Sequence, residues 1–174
     1  MYSKSFNILV LVLFIATLSA INFLAPVTKS YAQETVAIEV SENYKQEMNC
    51  LAENIYYESG FESYEGKLAV AQVTINRVKS GKFPTTVCGV VKQKNRINGS
   101  WVCQFSWVCQ SVSHVVRNKY QWDECVMVAR KAITEANVHT YIAQTNSLYY
   151  HNNQVRPGWK LIRVTQIGNH IFYR

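Results

Sequence analysis

Acidic residues are scarce over most of this chain. Eight of the eleven precede Gly66, and from Lys67 onward fifteen Lys and Arg face three acids. With a formal net charge of +7, that imbalance predicts a basic surface that attracts anionic polymers. Histidine is scarce too. His114, His139, His151 and His170 are scattered, with no Cys-x-x-Cys or His-x-x-x-His pair, so neither a metal nor a cofactor is expected. There is no internal repeat and no low-complexity tract, so nothing points to a solenoid. Charged residues make up only 17% of the 174 residues against 48% hydrophobic, the balance of a globular chain.

Residues 1–32 read as an export signal. Lys4 gives a basic start, Ile8 to Ala20 is an almost unbroken apolar run, and Ser30-Tyr31-Ala32 offers small residues for cleavage. An uncleaved anchor is the rival, since the run extends to Leu24. Either places the domain outside the cytoplasm, in the periplasm, envelope or medium, with membrane contact only if the segment stays. Nucleic acid is therefore not an expected partner. Peptidoglycan carboxylates, wall polymers or acidic lipid suit the basic surface better. Residues 33–46 are polar, lack a firm period and read as a linker. Residues 47–174 form the domain, expected to be monomeric.

Met48, Leu51, Ala52 and Ile55 share one helix face, and Glu58 falls on its edge in the last turn before Ser59-Gly60. A carboxylate at a helix end, half against the core, has its charged form disfavoured, as a general acid near neutral pH requires. Most helix-edge glutamates are solvated, so position alone does not assign catalysis. Ser63 can cap a second helix carrying Leu68, Ala71, Gln72 and Ile75, and Thr85 or Thr86 a short one carrying Val87, Val90 and Val91. Asn98-Gly99 marks a turn. Trp122, Cys125, Val126, Ala129, Ile133 and Ala136 predict a helix over 121–137, with Asp123 and Glu124 in its first turn. Ser147 to His151 reads as a strand, and Leu161–Ile167, Gly168-Asn169 and His170–Tyr173 as a hairpin.

Five cysteines in an exported chain suggest two disulfides and one free thiol. Cys125, on an apolar helix face, is taken as the buried free one. Trp101 and Trp107 near Gln104 and Ser106 suggest a sugar-binding wall, with Phe105 in the core.

Ile55-Tyr-Tyr-Glu58, Glu62, Glu65-Gly66-Lys-Leu-Ala-Val-Ala-Gln-Val73 and Asn76-Arg77-Val78 together resemble the SleB/CwlJ-type cell wall hydrolases. So do Phe83-Pro84, Val87-Cys88-Gly89-Val90-Val91, Gln104-Phe105-Ser106, Leu148-Tyr149-Tyr150 and Ile167 to Phe172, so the likeness covers roughly residues 48–174. It implies an α+β, mainly helical, lysozyme-like domain with a small C-terminal antiparallel hairpin or sheet. It implies peptidoglycan glycan strands as substrate, cut at the β-1,4 bond between N-acetylmuramic acid and N-acetylglucosamine by a lytic transglycosylase with Glu58 as acid. Glu62, Gln104, Ser106 and Tyr150 are the implied substrate-binding residues. One departure is Ser59-Gly60-Phe61-Glu62, where relatives have an Ala-Arg-Gly-Glu type run. Glu62 could instead bond backbone amides at the start of the second helix. Hydrolysis remains the alternative outcome, with Glu62 or Glu65 as second carboxylate. A Cys/His amidase using Cys109 with His114 or His151, and a non-catalytic wall-binding module, are the other classes.

Overall fold

The computed structural model describes residues 28–110, 115–136 and 146–174. The chain divides into two units, 1–41 and 42–174. In the first, residues 28–41 are helical and begin α1 (Thr28–Ser59), whose remaining turns open the second unit. Residues 33–46, expected as a linker, are therefore helical. Their polar sequence carries no apolar stripe, so periodicity could not reveal the helix. The leader-like segment up to residue 27 lies outside the described residues. Among those described, no helix is long and apolar enough to cross a membrane.

The second unit is built around α2 (Tyr64–Lys79), buried on nearly every side from Gly66 to Ile75. A helix buried all round belongs inside a core. Ser63 caps it, its hydroxyl accepting from Gly66 N at 3.2 Å. Leu68, Ala71 and Ile75 pack in one cluster with Leu51, Ala52 and Ile55 of α1, Val87, Val90 and Val91 of α3 (Val87–Val91), and Cys125, Val128, Ala129 and Ala132 of α5 (Lys119–Ala136). Ala69, Val70 and Val73 form a second cluster with Phe172. Phe172 lies in a three-stranded antiparallel sheet of β3 (Tyr149–Asn152), β4 (Arg163–Ile167) and β5 (His170–Tyr173), ordered β3-β5-β4. The central helix is thus covered by helices on one side and by a sheet on the other, an α+β architecture as expected.

The chain between these layers holds β1 (Lys94–Ile97), β2 (Ser100–Cys103) and α4 (Ser106–Cys109). Asn98 and Gly99 both have positive φ, 51° and 82°, the requirement of a tight hairpin turn. The turn was expected but its strands were not: nearly every residue of both is exposed, so no alternation marks them. Trp107 is buried and stacks on Tyr57, so it belongs to the core and not to a sugar wall. The last helix starts at Lys119, before the expected position, so Asp123 and Glu124 lie beyond its first turn. Asp123 pairs with Lys119 at 2.6 Å, and Glu124 with buried Lys67 at 2.8 Å.

Cys50–Cys88 and Cys103–Cys109 are bridged, and Cys125 is free and buried, as the cysteine arithmetic proposed. The first bridge joins residues 38 apart and the second residues 6 apart. Chain entropy assigns loops of these lengths about 4 and about 2 kcal/mol. Cys50→Ser/Cys88→Ser should therefore lower the Tm more than Cys103→Ser/Cys109→Ser. Cys125 should react with a thiol reagent only on unfolding.

Candidate active site

Glu58 stands in the last turn of α1. The helix ends at Ser59, whose hydroxyl donates back to Ile55 O at 3.0 Å, and Gly60 begins the turn. Its side chain is half-buried, and one partner reaches it: the Tyr150 hydroxyl donates to Glu58 Oε2 at 3.0 Å. Burial raises the Glu58 pKa, while that hydrogen bond and the charge of Arg77 pull the other way. Tyr150 is itself buried deeply enough to push its pKa well above the usual tyrosine value, so its hydroxyl stays a donor.

Arg77 comes from the last turn of α2 and is almost wholly buried. Its Nε donates to Leu148 O at 2.8 Å, and its guanidinium lies 5.2 Å from the Phe83 ring centre and 5.1 Å from that of Phe105. Burial lowers its pKa, opposed by Tyr150, Tyr149 and Glu58. A cation held between two aromatic faces keeps its charge at lower cost.

These groups line a cleft of about 290 Å³ together with Gln104, Ser106, Tyr149 and Trp159. Glu58, Gln104, Ser106 and Tyr150, singled out from sequence, therefore meet in one place. Phe105, read as core, is buried and also forms part of the wall. Arg77, Tyr149 and Trp159 had been given no role. Arg77 belongs to the Asn76-Arg77-Val78 motif, but only the fold shows that its helix end points at Glu58's neighbours. Trp159 follows Pro157-Gly158 in an irregular loop, and nothing local marks it as a cleft residue.

Glu62 does not line this cleft. Its carboxylate accepts from Asn169 N at 3.1 Å and Asn169 Nδ2 at 2.9 Å, clamping the β4–β5 turn. Its side-chain hydrogen bonds thus run to the β4–β5 turn and not to backbone amides at the start of α2. Gly168 has a φ of +56°, and a Cβ there would collide with Glu62 Oε2, so the clamp also requires glycine. Glu65 is exposed, and Phe61, in the departing turn, is 92% exposed. Glu58 is thus the one carboxylate among the described lining residues. Cys109 is bridged and offers no thiolate, and burial pushes the Cys125 thiol up to about 11. Among the described residues no group of three or more His, Cys, Asp or Glu could hold a metal ion.

Fold and cleft together define an α+β domain with a single half-buried acid in an open, aromatic-walled groove. The chain belongs to the Cell Wall Hydrolase family, whose profile matches residues 61–173. That range begins three residues after Glu58, so the case for this residue rests on its surroundings. The chain is 32% identical over 142 residues to the spore cortex-lytic enzyme of Oceanobacillus iheyensis, covering 79% of this chain and 45% of that one. It is 31% identical over 137 residues to that of Bacillus cereus, covering 76% and 46%. The chain thus spans about half the length of these relatives. Among solved structures it resembles the catalytic domain of the Bacillus cereus SleB protein, with a TM-score of 0.55, 29% identity, and coverage of 75% of this chain and 91% of that one. It also resembles the catalytic domain of the germination-specific lytic transglycosylase SleB from Bacillus anthracis, with a TM-score of 0.51, 29% identity, and coverage of 74% and 93%.

The two glutamates should respond oppositely to mutation. With its pKa raised by folding, Glu58 makes stability fall as pH climbs from the ordinary carboxylate range through its folded value. Glu58→Gln should therefore melt above the parent at neutral pH, with the difference vanishing in acid. Glu62→Ala should lower stability by about 1.5–3 kcal/mol, the worth of hydrogen bonds to a charged group. Thermal melts across pH check both.

Proposed function

We propose that this chain cleaves peptidoglycan glycan strands at the β-1,4 bond between N-acetylmuramic acid and N-acetylglucosamine, as a lytic transglycosylase. One observation carries the mechanism: the cleft brings a single desolvated carboxylate to bear, with its Oε2 held by Tyr150. Conventional glycosidases use two carboxylates flanking the bond. One suffices where the nucleophile is part of the substrate.

Protonated Glu58 donates its proton to the bridging oxygen as the C1–O bond breaks. The resulting carboxylate takes the proton of the muramoyl 6-hydroxyl while O6 closes on C1. The acid is regenerated, a 1,6-anhydro ring remains, and no water is consumed. Raising the pKa keeps the acid form populated for the first step, and the Tyr150 hydrogen bond steadies the anion for the second. Gln104 and Ser106 supply an amide and a hydroxyl for sugar hydroxyls, and Tyr149 and Trp159 supply flat faces. The names borne by the relatives support this reading, and the leader-like residues 1–32 support export. Hydrolysis by the same acid is the second reading. The bridged Cys109 and the buried, weakly acidic Cys125 argue against a cysteine amidase.

Digestion of purified sacculi followed by mass spectrometry tests the proposal. Glycan fragments should carry 1,6-anhydromuramoyl ends, and Glu58→Gln should reduce cleavage by about 10²–10⁴-fold. Reducing muramic ends would make the chain a hydrolase, and new peptide ends without glycan cleavage would sink the glycosidase assignment. Tyr150→Phe removes the donor that favours Glu58's charged form. The alkaline limb of its pH–rate profile should therefore move to higher pH, with a lower kcat.

A further inference from the structure

A second cleft, of about 360 Å³, lies beyond Trp159. Trp159 lines both clefts, so the two share a wall. The floor of the second is built from β3 and β5. His151 stacks on Tyr173 with ring centres 5.2 Å apart and planes inclined by 23°. The pair is locked. His151 Nδ1 lies 2.8 Å from Asn152 O. That carbonyl can only accept, so Nδ1 carries the proton. Nε2 then accepts from the Tyr173 hydroxyl at 3.0 Å. Trp159 stands nearly upright on this plate, at 79° to His151 and 85° to Tyr173. A fixed plate and an upright indole make a right-angled aromatic corner. Trp159 keeps 43% of its surface exposed, so its packing against the plate does not use it up.

The rim is anchored at both ends. Asn153 N donates to Asn169 O at 2.7 Å, and Ile162 exchanges two backbone hydrogen bonds with Arg174. Arg156 lies on this rim and lines the cleft, with no acidic residue among the described lining groups. Flat apolar plates with one cation suit a ring that carries a carboxylate. Alternating sugars of a wall glycan offer this: apolar ring faces, and a carboxylate on the muramic lactyl group or its stem peptide. We propose that this corner is a second saccharide subsite, where the strand cut beside Glu58 continues past Trp159 with a ring on the aromatic plate and a carboxylate at Arg156. The inference rests on the proposed glycan substrate and adds where the uncut part of the strand lies.

The test uses isotopically labelled chain carrying Glu58→Gln, observed by NMR with a tetrasaccharide and an octasaccharide of alternating N-acetylglucosamine and N-acetylmuramic acid. The octasaccharide should bind more tightly and move the Val155 and Ile171 methyl signals as well as the Trp159 indole signal. Arg156→Gln should weaken it by roughly fivefold, the upper end for an exposed charge pair. If the loss from Arg156→Gln is larger for peptide-bearing octasaccharide than for peptide-free, the carboxylate is that of the stem peptide; a larger loss for the peptide-free octasaccharide, whose lactyl carboxyl is not tied up in the amide to the peptide, assigns it to the lactyl group. Octasaccharide that moves Tyr149, Tyr150 and Gln104 signals while Val155 and Ile171 stay still overturns the subsite and leaves the proposed substrate standing. Movement in neither cleft overturns both. Full octasaccharide affinity in Arg156→Gln overturns the charge contact.

Discussion

The site depends on how the end of α2 grips the strand opposite it. Asn76 Nδ2 donates to Ser147 O at 3.0 Å, and Arg77 Nε donates to Leu148 O at 2.8 Å. Two adjacent side chains thus hold two adjacent carbonyls just before β3 begins. Two residues further on, Tyr150 lies within hydrogen-bond reach of Glu58. Helix α1 and strand β3 are distant in sequence, and α2 is buried between them. The acid therefore meets its partner only if the central helix is seated against both layers at once.

Burying Arg77 is costly unless its charge and donors are met. The two phenyl rings and the Leu148 carbonyl meet part of that need, and the remainder is shared with the cleft. Arg77 draws on Glu58 and the tyrosines to stay charged, and in turn limits how far burial lifts the Glu58 pKa. Desolvation nevertheless leads for Glu58, so the balance still favours the protonated acid relative to an exposed glutamate. Positioning and acidity come from the same side chain, and a change at Arg77 would disturb the strand anchor and the charge balance together.

Much of this was legible locally. Apolar spacing gave the inward faces of α1 and α2, Ser63 announced the cap of α2, the Thr85-Thr86 pair held that of α3, which the structure places at Thr86, and Gly168-Asn169 marked the C-terminal hairpin. These signals act over a few residues and survive in the folded chain. What stayed hidden is set by longer reach or by the absence of a pattern. The exposed β1–β2 hairpin shows no alternation. Residues 33–46 show no firm period. Disulfide partners follow from the fold: Glu47 accepts from Val87 N at 2.5 Å and Cys88 N at 3.3 Å, fastening α3 to α1 beside the Cys50–Cys88 bridge. Family likeness marked Glu62 as notable, but its partner is 107 residues away, and no local rule could name it.

Glu58 and Glu62 show how surroundings divide one residue type into two tasks. They are four residues apart, at either side of the turn between α1 and α2. Glu62 meets a backbone N–H and an amide N–H in fixed positions, and a glycine keeps the space clear for it. A carboxylate so occupied is committed to holding the β4–β5 turn. That turn in turn steadies β5, the central strand, against which β3 and its Tyr150 are registered. Among the described residues Glu58 receives one hydroxyl, which leaves the rest of its acceptor capacity open to a ligand. The first glutamate is poised for chemistry because it is poorly satisfied. The second is well satisfied, and through the sheet it helps keep the first one's partner in place.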